Sequence, residues 1–160
     1  MPDQWNDGRH LSIFILGPMP QSGEVDSSCQ AIKFALNSII AEPEVQRILR
    51  ERKVSAWDVE EPGALYSANI IHDVFARIDE ADLVVINLTP KDGPAGQLSP
   101  NVFYELGLVH SLGVPYILLS QEATPIPFYL RDSRIHLVKD FSEGAVRRAL
   151  RDLFLEVSSR

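Results

Sequence analysis

Most of the residues that could do chemistry in this chain fall in one run, Leu98-Ser99-Pro100-Asn101-Val102-Phe103-Tyr104-Glu105-Leu106-Gly107. Ser followed by Pro, ahead of apolar residues at helical spacing, predicts a helix with Ser99 as N-cap and Pro100 at its first position. Asn101 and Glu105 are four residues apart and share one face of that helix, while Val102, Leu106 and Val109 share another. A carboxylate is thereby held beside an apolar face, the setting in which protonation is perturbed for catalysis. The positive end of the helix also suits an anion. The same pattern equally allows Ser99 to cap and nothing more, with Glu105 pointing to water.

Other candidates are weaker. Gly17-Pro18-Met19-Pro20 follows an apolar run, and a Gly there allows a tight turn and close approach of a ligand. It matches neither G-x-G-x-x-G nor a Walker A loop, so no phosphate cradle follows from it. Asp82 stands between a helix and a strand, where Asp often only caps or turns. His10, His72, His110 and His136 have no metal-ligand spacing with acidic residues or with Cys29, so no metal site is expected. No G-x-S-x-G element is present, and Cys29 lies among ordinary helix residues.

The elements that would position these residues alternate. Strands are predicted at Ser12–Leu16, Val54–Val59, Leu83–Leu88, Tyr116–Ser120 and Ile135–Val138. Helical spacing joins Ile32, Leu36, Ile39 and Ile40, and a short helix runs from Glu44 to Arg52 with Pro43 at its start. The later helices carry Ile70, Ile71, Val74, Phe75 and Ile78; then Val102, Leu106 and Val109; then Val146, Leu150, Leu153 and Val157. Such alternation means βαβ units and a parallel sheet of about five strands with helices on both faces. The flavodoxin-like order 2-1-3-4-5 is expected, with residues 1–10 a flexible N-terminus and 11–160 one domain. In that fold a ligand sits at the carboxyl ends of the strands, which nominates the loops Gly17–Gly23, Thr89–Ser99 and Gln121–Pro127.

Composition narrows the partners. A net charge of −7 repels phosphate backbones, so a broad nucleic-acid interface is not expected. Helix N-termini still admit a small anionic ligand. One cysteine, no apolar run long enough to span a bilayer, and a polar Met1–His10 together lead us to expect a cytoplasmic protein with no membrane partner.

Three segments resemble the nucleoside 2-deoxyribosyltransferase-like superfamily, nearest its TIR-like bacterial branch. They are Ala81-Asp82-Leu83-Val84-Val85-Ile86-Asn87-Leu88-Thr89, Asn101-Val102-Phe103-Tyr104-Glu105-Leu106-Gly107-Leu108-Val109-His110, and Gly113-Val114-Pro115-Tyr116-Ile117-Leu118-Leu119-Ser120. Ile126-Pro127-Phe128-Tyr129-Leu130-Arg131 echoes a further loop of that branch. The resemblance implies a catalytic Glu105, which attacks or stabilises C1′ of a ribosyl group as the base departs. It implies substrate contacts at Gly17, Pro18, Asp82, Thr89, Ser99 and Asn101, with Ser99 in the place of a phosphate contact. It also departs from the family: the second aspartate, eight residues before the Asp82 position, is Val74 here, with Asp73 one place off. A TIR-like NAD⁺ hydrolase relies on one glutamate, so NAD⁺ is the expected substrate, ahead of a nucleoside or nucleotide. NAD⁺ is then substrate and no cofactor is needed. A homo-oligomer and a role in bacterial antiviral defence are implied in the same way. The alternative is a non-catalytic nucleotide-binding or signalling module.

Overall fold

The computed structural model describes residues 8–18, 26–61, 70–90, 93, 95–130 and 135–158. The loop residues Met19–Gly23, Lys91, Asp92, Pro94 and Arg131 lie outside that set, as do the side chains of Ile70, Ile71 and Val157. The strands are β1 (Arg9–Leu16), β2 (Val54–Glu60), β3 (Leu83–Asn87), β4 (Tyr116–Gln121) and β5 (Ile135–Val138). The helices are α1 (Ser27–Ile40), α2 (Pro43–Glu51), α3 (Ile70–Glu80), α4 (Pro100–Leu112) and α5 (Glu143–Ser158). All strands are parallel, in the order β2-β1-β3-β4-β5. This is the order expected from the sequence.

Alternation along each strand divides the core in two. Ile13 and Ile15 of β1, Leu83 and Val85 of β3, and Ile117 and Leu119 of β4 pack with α1, α2 and α5. Phe14 and Leu16, Val84 and Ile86, and Leu118 pack with α3 and α4 on the other face. All five residues of β3 are buried, as a strand covered on both faces requires. Two bonds from α5, Arg147 to Glu42 at 2.7 Å and Arg151 to Glu42 at 2.9 Å, tie it to the α1–α2 turn. They hold the Glu42 carboxyl below its ordinary range.

Two local expectations are corrected. Arg9 and His10 belong to β1 rather than to a flexible tail, because Arg9 N–H donates to Lys53 O at 2.7 Å and pairing with β2 begins there. Phe75 does not join Val74 and Ile78 in the core: it is 42% exposed. A helix sitting over a sheet buries a stripe narrower than the apolar pattern of α3 suggested.

Chain connectivity creates the crevice. From β1 the chain passes into α1 on one face, and from β3 into α4 on the opposite face. The adjacent carboxyl ends of β1 and β3 therefore diverge, which is the switch point where ligands bind in open α/β sheets.

Candidate active site

Both helices leaving the switch point are capped by their own sequence. Asp26 caps α1, accepting from Ser28 N–H at 2.9 Å and Cys29 N–H at 3.3 Å, and also from the Ser28 hydroxyl. Ser99 caps α4, accepting from Asn101 N–H at 3.3 Å, with Pro100 in the first turn. At the far end Gly113 closes α4 at φ 68, a left-handed backbone that favours glycine. These caps aim two helix N-termini at the carboxyl end of the sheet.

Gly17 follows β1 and has no room for a side chain. A Cβ there would stand 2.8 Å from Cys29 Sγ and 3.0 Å from Asn87 Cβ. Asn87, the last residue of β3, is fully buried and donates to Ser28 Oγ at 2.7 Å and to Cys29 Sγ at 3.4 Å. Its Oδ1 accepts from the Thr89 hydroxyl at 2.5 Å. Pro18 is buried beside Gly17. The floor of the crevice is thus a closed polar network joining β1, β3 and the first turn of α1.

Glu105 lies on the second turn of α4, partly buried, with Oε2 shut off from solvent and without a hydrogen-bond partner among the described residues. Burial alone pushes its carboxyl up from 4.5 to about 7. Desolvation disfavours the charged form, and among the described residues no donor or cation offsets it. The Cys29 thiol is pushed up to about 12, first by burial, against the lowering effect of the Asn87 bond. The carboxylates of Asp26, Glu61 and Glu105 add to the rise. Glu105 therefore acts on the same thiol that packs under Gly17. A thiol so placed is inert as a nucleophile.

Gly17, Pro18, Thr89, Ser99 and Glu105 all fall at the carboxyl ends of β1 and β3 or the start of α4. Asn101 shares the helix face of Glu105 but is exposed. Asp82 is not brought to the crevice. It precedes β3, and a rise of about 3.3 Å per residue puts it roughly 16 Å from Asn87 along the strand. Its carboxylate accepts from Ser12 N–H at 2.9 Å and pairs with Arg9, which is a structural task at the opposite end of the sheet. Val74 is buried in the α3–α4 core among apolar side chains.

Sequence reasoning missed Asp26, Cys29, Asn87 and Glu61 as members of this cluster. Only Asn87 carried a signal, as a polar residue ending an otherwise apolar strand. A separate cleft of about 320 Å³ lies on the α3 side of β1 and β2. Most of its charged side chains pair within the chain: His10 with Asp58, Arg77 with Glu60, and Asp82 with Arg9; Glu80 lines it as well. Among the described residues no group of His, Cys, Asp and Glu is arranged to hold a metal ion, and no helix is long and apolar enough to cross a membrane.

No family model matches the chain, and no curated protein matches it. Among solved structures it is similar to a CMP N-glycosidase from Clostridium botulinum, at 20% identity over 89% of this chain and 98% of that one, with a TM-score of 0.49. It is also similar to a 2-desoxiribosyltransferase from Leishmania mexicana, at 15% identity over 91% of this chain and 97% of that one, again with a TM-score of 0.49. Likeness at this level carries over neither an activity nor the role of any residue.

Proposed function

We propose that the chain breaks the N-glycosidic bond of a nucleotide-type metabolite, NAD⁺ before a nucleoside or nucleotide, with Glu105 facing C1′ of the reacting ribose. The observation that supports this reading is the Glu105 carboxylate on α4, the helix that leaves the switch point: it is desolvated, and its Oε2 has no hydrogen-bond partner among the described residues. Such a group is poorly matched to water and well matched to a cation. As the C1′–N bond lengthens, its electron pair leaves with the base and positive charge develops on the sugar. A fixed carboxylate stabilises that charge without reorganising. It then shields C1′ or bonds to it until water adds and the proton is lost to solvent.

NAD⁺ suits a single carboxylate because nicotinamide leaves as a neutral base and needs no acid to protonate it. The burial of Val74 where a second carboxylate would stand supports the same preference. Positive charge on the bound nicotinamide lowers the Glu105 pKa and ionises it when needed. The Ser99 hydroxyl and the positive end of α4 suit a phosphate. A function in antiviral defence rests on the sequence resemblance and goes with NAD⁺ consumption.

Self-association belongs to the same reading. Phe128 is 77% and Tyr129 56% exposed, and Tyr104 beside Glu105 is 56% exposed. Rings of Phe103 and Tyr129 meet edge-on at 5.8 Å, which gathers the aromatic surface next to α4. A second copy covers it.

The test is incubation with NAD⁺, nucleosides and nucleotides, followed by chromatography for the released base. Wild type releases nicotinamide from NAD⁺, and Glu105→Gln is slower by about 10²–10³. Equal turnover by the variant removes Glu105 from the chemistry. Tight binding without release of any base makes the chain a binding module.

A further inference from the structure

On α1, Gln30, Lys33, Phe34, Asn37 and Ser38 recur at three- and four-residue spacing and form one stripe. With Glu61, which follows the last residue of β2, they line a cleft of about 580 Å³. Ligand sites commonly have this size. Its lining mixes amides, a hydroxyl, an ammonium, a carboxylate and the ring of Phe34, which is 58% exposed. Lys33 Nζ donates to Glu61 Oε1 at 3.2 Å. Glu61 Oε2, in contrast, is buried and has no hydrogen-bond partner among the described residues. A buried carboxylate oxygen without a donor is unfavourable and calls for one. In dinucleotide-binding sheets, an acidic residue further along the βαβ unit from the first βα turn accepts from the hydroxyls of a ribose.

We infer that the cleft between α1 and the end of β2 holds the non-reacting half of a dinucleotide, with Glu61 accepting from its ribose hydroxyls and Phe34 stacking on its base. The inference rests on Glu105 being the site of N-glycosidic cleavage, and it makes the substrate class dinucleotides rather than mononucleotides. The two regions adjoin through the first turn of α1. Gln30 lines the cleft, while its neighbour Cys29 packs under Gly17, and the Cys29 thiol feels both Glu61 and Glu105. Lys33 spends one of its three N–H donors on Glu61 and keeps the others for a phosphate between the two halves. The aromatic ring is fitted to a base, since stacking needs only a π-face and does not depend on which base arrives.

Calorimetric titration of adenosine monophosphate (AMP) into the full chain tests this without any turnover. AMP binds wild type, and Glu61→Gln weakens it at least about tenfold, the usual effect of losing a charge-assisted hydrogen bond. Phe34→Ala, at an exposed position, weakens it about fivefold or more. On unaltered protein, 2′,3′-dideoxy-AMP binds about as weakly as AMP binds Glu61→Gln, so the ribose contact is read without any mutation. No AMP binding by wild type at millimolar concentration, or equal affinity in wild type, Glu61→Gln and Phe34→Ala, overturns the inference. Failure of the Glu105 reading looks different: AMP still binds through Glu61 and Phe34, but no base is released from NAD⁺.

Discussion

Glu105 is held in a state that opposes stability at neutral pH, and removing its charge exposes the size of that opposition. Its carboxyl titrates near 7 in the folded chain against an ordinary value of 4.5. Below pH 4.5 both folded and unfolded chains carry it protonated, and the group is neutral towards folding. Between 4.5 and 7 the unfolded chain ionises while the folded chain keeps its proton, so stability falls as pH rises. Above 7 the loss is complete. At about 1.4 kcal/mol for each pH unit, the rise from 4.5 to about 7 corresponds to about 3 kcal/mol. For a domain of this size that is a difference in Tm of roughly 6–12 °C.

Glu105→Gln has no charge to desolvate, so it lacks this slope. Thermal melts of wild type and variant from pH 4 to pH 9 measure it directly. The difference between them, in favour of the variant, grows from pH 4.5 to 7 by about 3 kcal/mol and then stays level. Every other titrating group is shared and cancels. Activity moves the opposite way: kcat/KM of wild type rises with pH through about 7 as Glu105 ionises, and the variant is slow throughout. A stability difference that is flat with pH would show Glu105 to be solvated, and the electrostatic argument for its function would go with it.

Three further substitutions read the surroundings of the crevice. Gly17→Ala forces a methyl group against Cys29 Sγ and Asn87 Cβ and destabilises the chain by about 1–3 kcal/mol in denaturant unfolding; Cys29→Ala in the same chain restores part of it. Cys29 stays unlabelled by iodoacetamide at pH 8 in the native protein and reacts only on unfolding, because a buried thiol near 12 has almost no thiolate. Ser99→Ala loses the cap on α4 and about 1 kcal/mol of stability by the same measure. It weakens phosphorylated ligands more than nucleosides, a split that titration of both resolves.

The fold was legible because its signals are local. Alternating runs gave strands and helices, and the handedness of crossovers left few orders beyond the observed β2-β1-β3-β4-β5. Glu105 was legible for the same reason, since its position on α4 follows from the Ser99-Pro100 start and the spacing of Val102, Leu106 and Val109. Asp82 was expected at the site through the resemblance alone; its place ahead of β3 puts it at the amino end of the sheet, where it pairs with Arg9. Glu61 and Cys29 were illegible, and Asn87 showed only its polarity at the end of an apolar strand, because their contacts span the chain: Lys33 reaches Glu61 28 residues away, and Asn87 reaches Ser28 across 59. Those meetings depend on the register of β1 with β2 and on how α1 docks, neither of which local periodicity encodes.

The electrostatics of the assembled site bear on what it accepts. Asp26, Glu61 and Glu105 all raise the pKa of one buried thiol, so their fields overlap at Cys29 below the crevice floor. Lys33 pairs with Glu61, and its side chain is 39% exposed. A phosphate laid directly on Glu105 meets repulsion, whereas at the N-terminus of α4, beside Ser99, it meets the positive end of the helix dipole. If Glu105 faces C1′ as proposed, the favoured ligand carries its negative charge toward a helix start and its positive charge toward Glu105. A nicotinamide nucleotide has that polarity before reaction, and the ribosyl cation keeps it as the bond breaks. A neutral nucleoside acquires positive charge only in the transition state, so it gains less from Glu105 on binding. Raising ionic strength leaves the Glu105 contribution to turnover nearly unchanged, because a desolvated carboxylate is poorly screened, while it weakens binding through the exposed Lys33.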